Sequence, residues 1–301
     1  MYRISFYLIL IFSLFSCKKN QPLLFAGGFV GGTYNSIAES LKKLPDWSIK
    51  VIDSNGSLDN IYLVKDGKVD MALVQMDMYR SALYADQKIP DSVKPVVPVL
   101  QDEVHLITRK QITTPNDLKG KKIVIGHAES GIKATSLTVL LELGISDTDV
   151  ILIEESPTYG IPAILNGEVD AVFVVSGMPV KILTEIPEKA GEKIHLLSLN
   201  KVFESKLNRA NKIYALGEIP AGTYSWQKEK VDTLLVQTVL FANKAVKEET
   251  INSFVDSILK NKLVLEVGHP EWKQFTKDNL RKLQKSTPDL FNEQALKVIN
   301  Q

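Results

Sequence analysis

From Leu23 onward, short runs of apolar and β-branched residues alternate with longer segments in which apolar positions recur at helical spacing. That alternation is the mark of an α/β protein with a largely parallel sheet. Strands are predicted at Leu23–Ala26, Ser48–Asp53, Met71–Val74 and Val96–Leu100, with helices near Tyr34–Lys43, Ser57–Asp66 and Asp77–Ala85. A second series predicts strands at Lys122–Gly126, Val150–Glu154, Ala171–Val175 and Ile194–Leu199, with helices near Lys133–Leu143, Gly160–Asn166 and Val180–Ile186. After Tyr224 the pattern predicts mainly helix, over Val231–Phe241, Lys247–Lys260 and Pro270–Gln284, where apolar spacing is near 3.6.

The two series share a phrase. Asp66-Gly67-Lys68-Val69-Asp70-Met71-Ala72-Leu73-Val74 returns as Asn166-Gly167-Glu168-Val169-Asp170-Ala171-Val172-Phe173-Val174, an offset of 100 residues. Each copy predicts a helix ending at a glycine and a turn into a buried strand. Gly31 before the first helix likewise has Gly131 before its counterpart. Two lobes of similar construction are therefore expected: 23–106 with 215–301 as the first, and 107–214 as the second. The chain is expected to cross between them at Val104–Arg109 and Ile213–Gly217, both apolar runs.

Ligands of open parallel sheets bind beyond the carboxyl ends of the strands. There the first lobe carries the glycine stretch Gly27-Gly28-Phe29-Val30-Gly31-Gly32-Thr33, between a strand and a helix start. Glycines let backbone N–H groups approach a ligand, and a helix N-terminus favours an anion. Two such lobes facing one another would form a hinged cleft suited to a small carboxylate.

Composition narrows the class. The chain has 301 residues, 45% hydrophobic content and a net charge of +1, enough for two cores and without the basic excess of a nucleic-acid binder. At the start, Arg3 is followed by an apolar run from Ile4 to Phe15, shorter than the roughly 20 residues of a membrane span but suited to a signal peptide. The run ends in Ser16-Cys17, which resembles a bacterial lipobox. Residues 1–16 are thus expected to be a signal peptide, Cys17 the lipidated mature N-terminus, and 17–22 a tether. Cys17 is the single cysteine of the chain, so no internal disulfide forms.

Six segments, in order, resemble motifs of one family: Gly31-Gly32-Thr33-Tyr34, Ser57-Leu58-Asp59-Asn60-Ile61, Ala72-Leu73-Val74-Gln75-Met76-Asp77, Asp117-Leu118-Lys119-Gly120-Lys121, Ser130-Gly131-Ile132-Lys133-Ala134-Thr135 and Ile219-Pro220-Ala221-Gly222-Thr223-Tyr224. Together they resemble the TAXI family, the extracytoplasmic solute-binding proteins of one class of TRAP transporters. The resemblance implies a two-lobed periplasmic-binding-protein fold of type II, and organic acids or acidic amino acids such as glutamate as ligands. Ala26, Phe29, Met76, Ile132 and Ser225-Trp226 depart from the family pattern, so ligand identity does not carry over.

The candidate ligand-binding residues are Gly32, Thr33, Tyr34, Ser57, Asn60, Gln75, Ser130, Gly131, Lys133, Thr135, Ser176 and Gly177. Gly32 and Thr33 offer donors; Tyr34 is either an aromatic wall or core. Ser57 and Asn60 follow a strand end, where Ser57 serves equally as a helix cap. Gln75 ends a buried strand and both donates and accepts. Asp77 is read as the cap of the next helix. Lys133, on a first helical turn where the dipole disfavours it, is expected either to neutralise a carboxylate or to point to solvent. Ser176 and Gly177 end the strand equivalent to that of Gln75. Tyr159, Tyr224 and Trp226 are either cleft walls or core.

Catalysis lacks its residues. Neither the Gly-x-Gly-x-x-Gly spacing nor a P-loop lysine is present, since Thr33 stands where the lysine belongs. His105, His127, His195 and His269 make no metal-ligand spacing, and only His127 is expected near the cleft. No cofactor, metal or nucleic acid is expected. The reading is a lipid-anchored extracytoplasmic protein that captures a small anionic solute for TRAP membrane subunits. The alternatives are an exported ligand sensor and an enzyme on the same fold.

Overall fold

In a computed structural model of the chain, the described residues are 21–28, 32–128, 130–205 and 214–301. The expected signal peptide, Cys17, most of the tether and residues 29–31 of the glycine stretch lie outside them.

The strands are β1 (Leu23–Gly28), β2 (Ile49–Asp53), β3 (Met71–Gln75), β4 (Val93–Arg109), β5 (Lys122–Val124), β6 (Ile151–Ile153), β7 (Ala171–Ser176), β8 (Ile194–Leu196), β9 (Ala215–Ile219) and β10 (Val231–Asn243). Helices of eight or more residues are α1 (Thr33–Leu41), α2 (Ser57–Lys65), α3 (Met76–Ala85), α4 (Gly131–Glu142), α5 (Pro157–Asn166), α6 (Glu248–Lys260), α7 (Lys277–Ser286) and α8 (Glu293–Asn300). The sheet runs β2-β1-β3-β10-β4-β7-β5-β6, with β8 beside β4 and β9 beside β10. This order is symmetric about the central pair. β1 lies parallel between β2 and β3 as β5 lies parallel between β6 and β7, and β3 and β7 are each closed by an antiparallel neighbour, β10 and β4 respectively.

The repeated phrase has the same physical job in both halves. Asp70 accepts from the Leu24 N–H through its carboxylate at 2.7 Å. Its own N–H donates to the Leu24 carbonyl at 2.8 Å, and its carbonyl accepts from Asn243 at 2.9 Å. Asp170 does likewise, with its carboxylate accepting from Lys122 at 3.0 Å. Its N–H donates to the Lys122 carbonyl at 2.9 Å, and its carbonyl accepts from Arg109 at 3.0 Å. Each aspartate thus pins the first strand of its lobe to the third and to the central pair. The preceding glycines take positive φ, 68° at Gly67 and 83° at Gly167, as the αL end of a helix requires.

Three cores follow. The first joins β1, α1, α2, β3, the first half of β4, the second half of β10 and the C-terminal helices; it includes Phe25, Ile61, Phe241 and Phe254. The other two lie on opposite faces of the β5-β7 sheet, one around Phe173 and Val139, the other around Ile161, Tyr224 and Trp226.

Several expectations change. Val231–Phe241 is not helix but most of β10, with β4 along one edge and β9 followed by β3 along the other. A central strand is buried on both faces, so it lacks the period-two alternation that would have marked it. Val96–Leu100 and Val104–Arg109 are one continuous strand of 17 residues, β4, which serves both lobes. Pro270–Gln284 breaks into a 3-10 turn at Pro270–Gln274 and α7, whose N-cap Thr276 hydroxyl accepts from Asn279 at 3.2 Å. The predicted helix at Val180–Ile186 is reduced to a single turn, Lys181–Thr184. Residue 213 is not described. Tyr214, Ile219, Tyr224, Leu234 and Val236 pack with the cores around β5 and β7, whereas Val239 and Leu240 pack with the first core. The chain therefore passes between cores within β10.

Candidate functional site

The carboxyl ends of β1, β3 and β7 open on one cleft of about 590 Å³. Around it stand the N-termini of α1, α2, α3, α4 and α5, with Gly32, Gly56, Gln75, Ser130 and Ser156 as their N-caps. Ser130 and Ser156 cap their own helices, accepting from the backbone N–H groups of Lys133 at 3.2 Å and Tyr159 at 3.4 Å. Gly32, Gly56 and Gln75 supply no side-chain cap. The first-turn N–H groups of α1 and α2 are thereby left without N-cap side-chain acceptors beside the cleft, with positive helix ends that suit an anion, whereas in α3 the Met78 N–H is taken by Asp77 at 2.7 Å. Gly56, at φ 122°, holds a backbone that other residues rarely adopt.

Nine of the twelve candidate residues line this cleft: Gly32, Thr33, Tyr34, Ser57, Gln75, Ser130, Gly131, Ser176 and Gly177. They come from both lobes and meet. The Thr33 and Ser176 hydroxyls are 2.6 Å apart, and the Ser57 hydroxyl accepts from the Gln75 N–H at 3.2 Å. A Cβ placed on Gly131 would lie 1.5 Å from the Gln75 Oε1, so only glycine lets the carboxamide occupy this position. The Tyr34 ring is half-buried while its hydroxyl reaches inward to Thr238 at 2.7 Å; burial, then the Asp102 charge, raises that phenol well above its ordinary value.

The remaining three lie elsewhere. Asn60 is fully buried, donating to the Leu73 carbonyl at 2.8 Å and accepting from the Ser54 hydroxyl at 2.5 Å. Thr135 donates at 2.6 Å to Asp77, which also accepts from Tyr214 at 3.2 Å. Asp77 thus does both jobs: its Oδ1 accepts from the Met78 N–H in the first turn of α3 at 2.7 Å, and its Oδ2 links α3 to α4 across the lobes. Lys133 pairs with Glu154 at 2.7 Å, which explains a lysine on the first turn of α4 without a ligand. Of the aromatics, Tyr224 and Trp226 are stacked in the core with centroids 5.6 Å apart, and Tyr159 is exposed. His127 is exposed and outside the cleft lining, whereas His269 lines it.

The sequence reading missed an acidic group at the cleft floor. Asp102 and Glu271 line the cleft, and Glu103 sits beside them, its carboxylate accepting from Met178 at 3.0 Å. Burial is the leading cause that raises all three: Asp102 to about 7, Glu103 to about 8 and Glu271 to about 7. Mutual repulsion adds to the rise of Glu103 and Glu271. The one available signal was Asp102-Glu103 interrupting an apolar run from Val96 to Ile107. Next to them, His105 is neutral, with burial pushing it down to about 4. The Val180 N–H donates to the Tyr224 oxygen at 3.2 Å, so the Tyr224 hydroxyl donates to His105 Nε2 at 2.8 Å. His105 Nδ1–H then donates to the Glu103 carbonyl at 3.1 Å.

Among the described residues no helix is long and apolar enough to cross a membrane, and no three His, Cys, Asp or Glu side chains are placed to hold a metal ion. The backbone is similar to that of the GluR0 ligand-binding core from Nostoc punctiforme, solved with L-glutamate, at 17% identity over 83% of this chain and 99% of that one, with a TM-score of 0.50. It is also similar to XAC2383 from Xanthomonas citri bound to ATP, at 8% identity over 92% and 94% of the two chains, with a TM-score of 0.50. The alkanesulfonate-binding protein SsuA from Xanthomonas axonopodis pv. citri, bound to MOPS, matches 91% of this chain and 95% of its own at 13% identity and a TM-score of 0.43. The likenesses to GluR0 and XAC2383 concern the fold, the two-lobed periplasmic-binding-protein type. The model of the NMT1-like family matches residues 25–288, and the chain belongs to that family.

Proposed function

We propose that this protein is an extracytoplasmic solute-binding protein of the TAXI kind, which captures a small carboxylate-bearing metabolite and delivers it to a TRAP-type membrane transporter. The observation that carries the reading is the cleft between two matching half-sheets, where α1 and α2 present N-termini without side-chain caps. Such ends receive a carboxylate by backbone N–H donation, and hydroxyls at Thr33, Ser57 and Ser176 add orientation. Gln75 and Gly131 touch from opposite jaws, so a solute bound beside them favours the closed arrangement. The chemistry is recognition without bond breaking. The family resemblance of the six ordered motifs supports the TRAP partner, with an acidic amino acid or organic acid as the solute class.

The same proposal includes Cys17 as a lipid anchor after removal of residues 1–16. It assigns 23–106 and the C-terminal segment to one lobe and 107–214 to the other, with the first half of β10 joining the latter. Titration calorimetry against a panel of organic and amino acids tests the binding claim. A ligand is expected, and Gln75→Ala is expected to weaken it by about tenfold, the loss of one hydrogen bond to a charged group. A panel that yields no binding contradicts the solute class.

A further inference from the structure

The helix ends account for an anion, but the side chains around them carry the opposite demand. Among the described residues, the charged groups lining the cleft are Asp102, Glu185 and Glu271 against one cation, Lys181. Lys133, the other cation near α4, is engaged by Glu154 at 2.7 Å. A dicarboxylate seated deep in this cleft would meet acids at its floor.

Asp102 is 1% exposed. Its Oδ2 accepts from Thr238 at 2.7 Å, and Thr238 in turn accepts from the Tyr34 hydroxyl at 2.7 Å. Its Oδ1 has no partner at hydrogen-bond geometry among the described residues, although the Gly177 N–H lies near enough to favour the charge. A buried carboxylate oxygen without a donor is costly, and native proteins keep one where something else supplies the donor. Glu271, in the 3-10 turn at Pro270–Gln274, approaches the same point. Its Oε2 accepts from Gln274 at 2.9 Å, while its Oε1 would lie 2.2 Å from a Cβ on Gly177. With no described trio of ligands set for a metal, the complementary donor is an organic cation.

We propose that the unpartnered Asp102 Oδ1, with Glu271 beside it, receives the ammonium group of the solute. The solute is then a zwitterion, its carboxylate at the helix N-termini and its amine at the cleft floor, and not a simple organic acid. This rests on the solute-binding reading and narrows it. An ammonium there supplies the missing donor and offsets the repulsion among Asp102, Glu103 and Glu271, which burial otherwise holds partly protonated.

Calorimetry on the purified protein with matched pairs differing only by the amine tests it: L-glutamate against glutarate, L-alanine against propionate, L-leucine against 4-methylpentanoate. In every pair that binds, the amine member is expected to bind about 10- to 100-fold tighter, the range of a buried charge-assisted hydrogen bond. Asp102→Asn is expected to abolish that preference, and Glu271→Gln to shrink it. Amine-free members that bind as tightly as their partners overturn the ammonium assignment and leave the solute-binding reading intact. Binding by no member of any pair overturns both. If Asp102→Asn does not fold, as judged by its melting transition, the wild-type pairs and Glu271→Gln decide the question.

Discussion

Replacing Asp102 by Asn isolates the energetic consequence of the acidic floor. In the folded protein Asp102 is raised from 3.8 to about 7, first by burial, with the Asp77 charge adding to it and the Thr238 hydroxyl and Gly177 N–H opposing it. Glu103 on the same strand and Glu271 from the segment after Pro270 face it, and both are raised as well. A carboxyl whose folded value lies above its unfolded one holds a proton that the unfolded chain has released. Its stabilising contribution is fully present below about pH 4 and is lost as pH rises through the folded values, here about 7 to 8. For Asp102, about three units at 1.36 kcal/mol per unit is on the order of 4 kcal/mol, an upper bound because the three acids titrate together. Urea unfolding of the ligand-free protein from pH 5 to pH 9 should show stability falling as pH rises. Asn is neutral throughout and resembles the protonated acid in shape. The variant should already exceed wild type by about 1 kcal/mol near pH 5, exceed it by up to about 4 kcal/mol at pH 9, and flatten the slope between. A variant with the wild-type slope, or one less stable than wild type at pH 9, would refute the assignment of the raised carboxyl to Asp102.

Three further outcomes follow from separate contacts. Thr135→Val removes the donor that meets buried Asp77 at 2.6 Å, and chemical denaturation should register a loss of about 1.5–3 kcal/mol, with Thr135→Ser close to wild type; equal stability of the valine variant would contradict a link between the lobes through Asp77. Gly131→Leu forces the Gln75 carboxamide out of its position, so solute affinity measured by calorimetry should fall at least about tenfold with the fold retained; undiminished affinity would remove Gln75 and Gly131 from the site. Cys17→Ala should abolish metabolic labelling with palmitate, and unchanged labelling would refute the lipid anchor.

Much of the frame was legible in the chain, and the failures have physical causes. The copies Asp66–Val74 and Asn166–Val174 announced matching lobes because a helix end, an αL glycine and a strand-pinning aspartate leave local marks. The glycine and hydroxyl positions at Gly32, Thr33, Ser57, Gln75, Gly131 and Ser176 were legible for the same reason, since strand ends and helix starts are encoded nearby. β10 was not, because a strand covered on both faces shows apolar residues at every spacing, including 3.6; Thr233, Val236, Thr238 and Val239 were the β-branched clue. Asn60, Lys133 and Thr135 bear the residue types of a binding site, but their partners Ser54, Glu154 and Asp77 are set by tertiary contacts no spacing reveals. Asp102 and Glu271, 169 positions apart in sequence, are brought to one floor only by the return of the chain beside β4.

The buried acids also bear on the central claim. A charged solute would supply the donor that Asp102 Oδ1 lacks. Native mass spectrometry of the freshly purified protein, followed by identification of what it releases on denaturation, tests that claim most directly. The account predicts one small carboxylate-bearing metabolite bound per chain and lost on dialysis under unfolding conditions. A released nucleotide or other compound without a carboxylate would contradict it, as would a bare chain that also fails to bind any member of the acid and amino-acid panel.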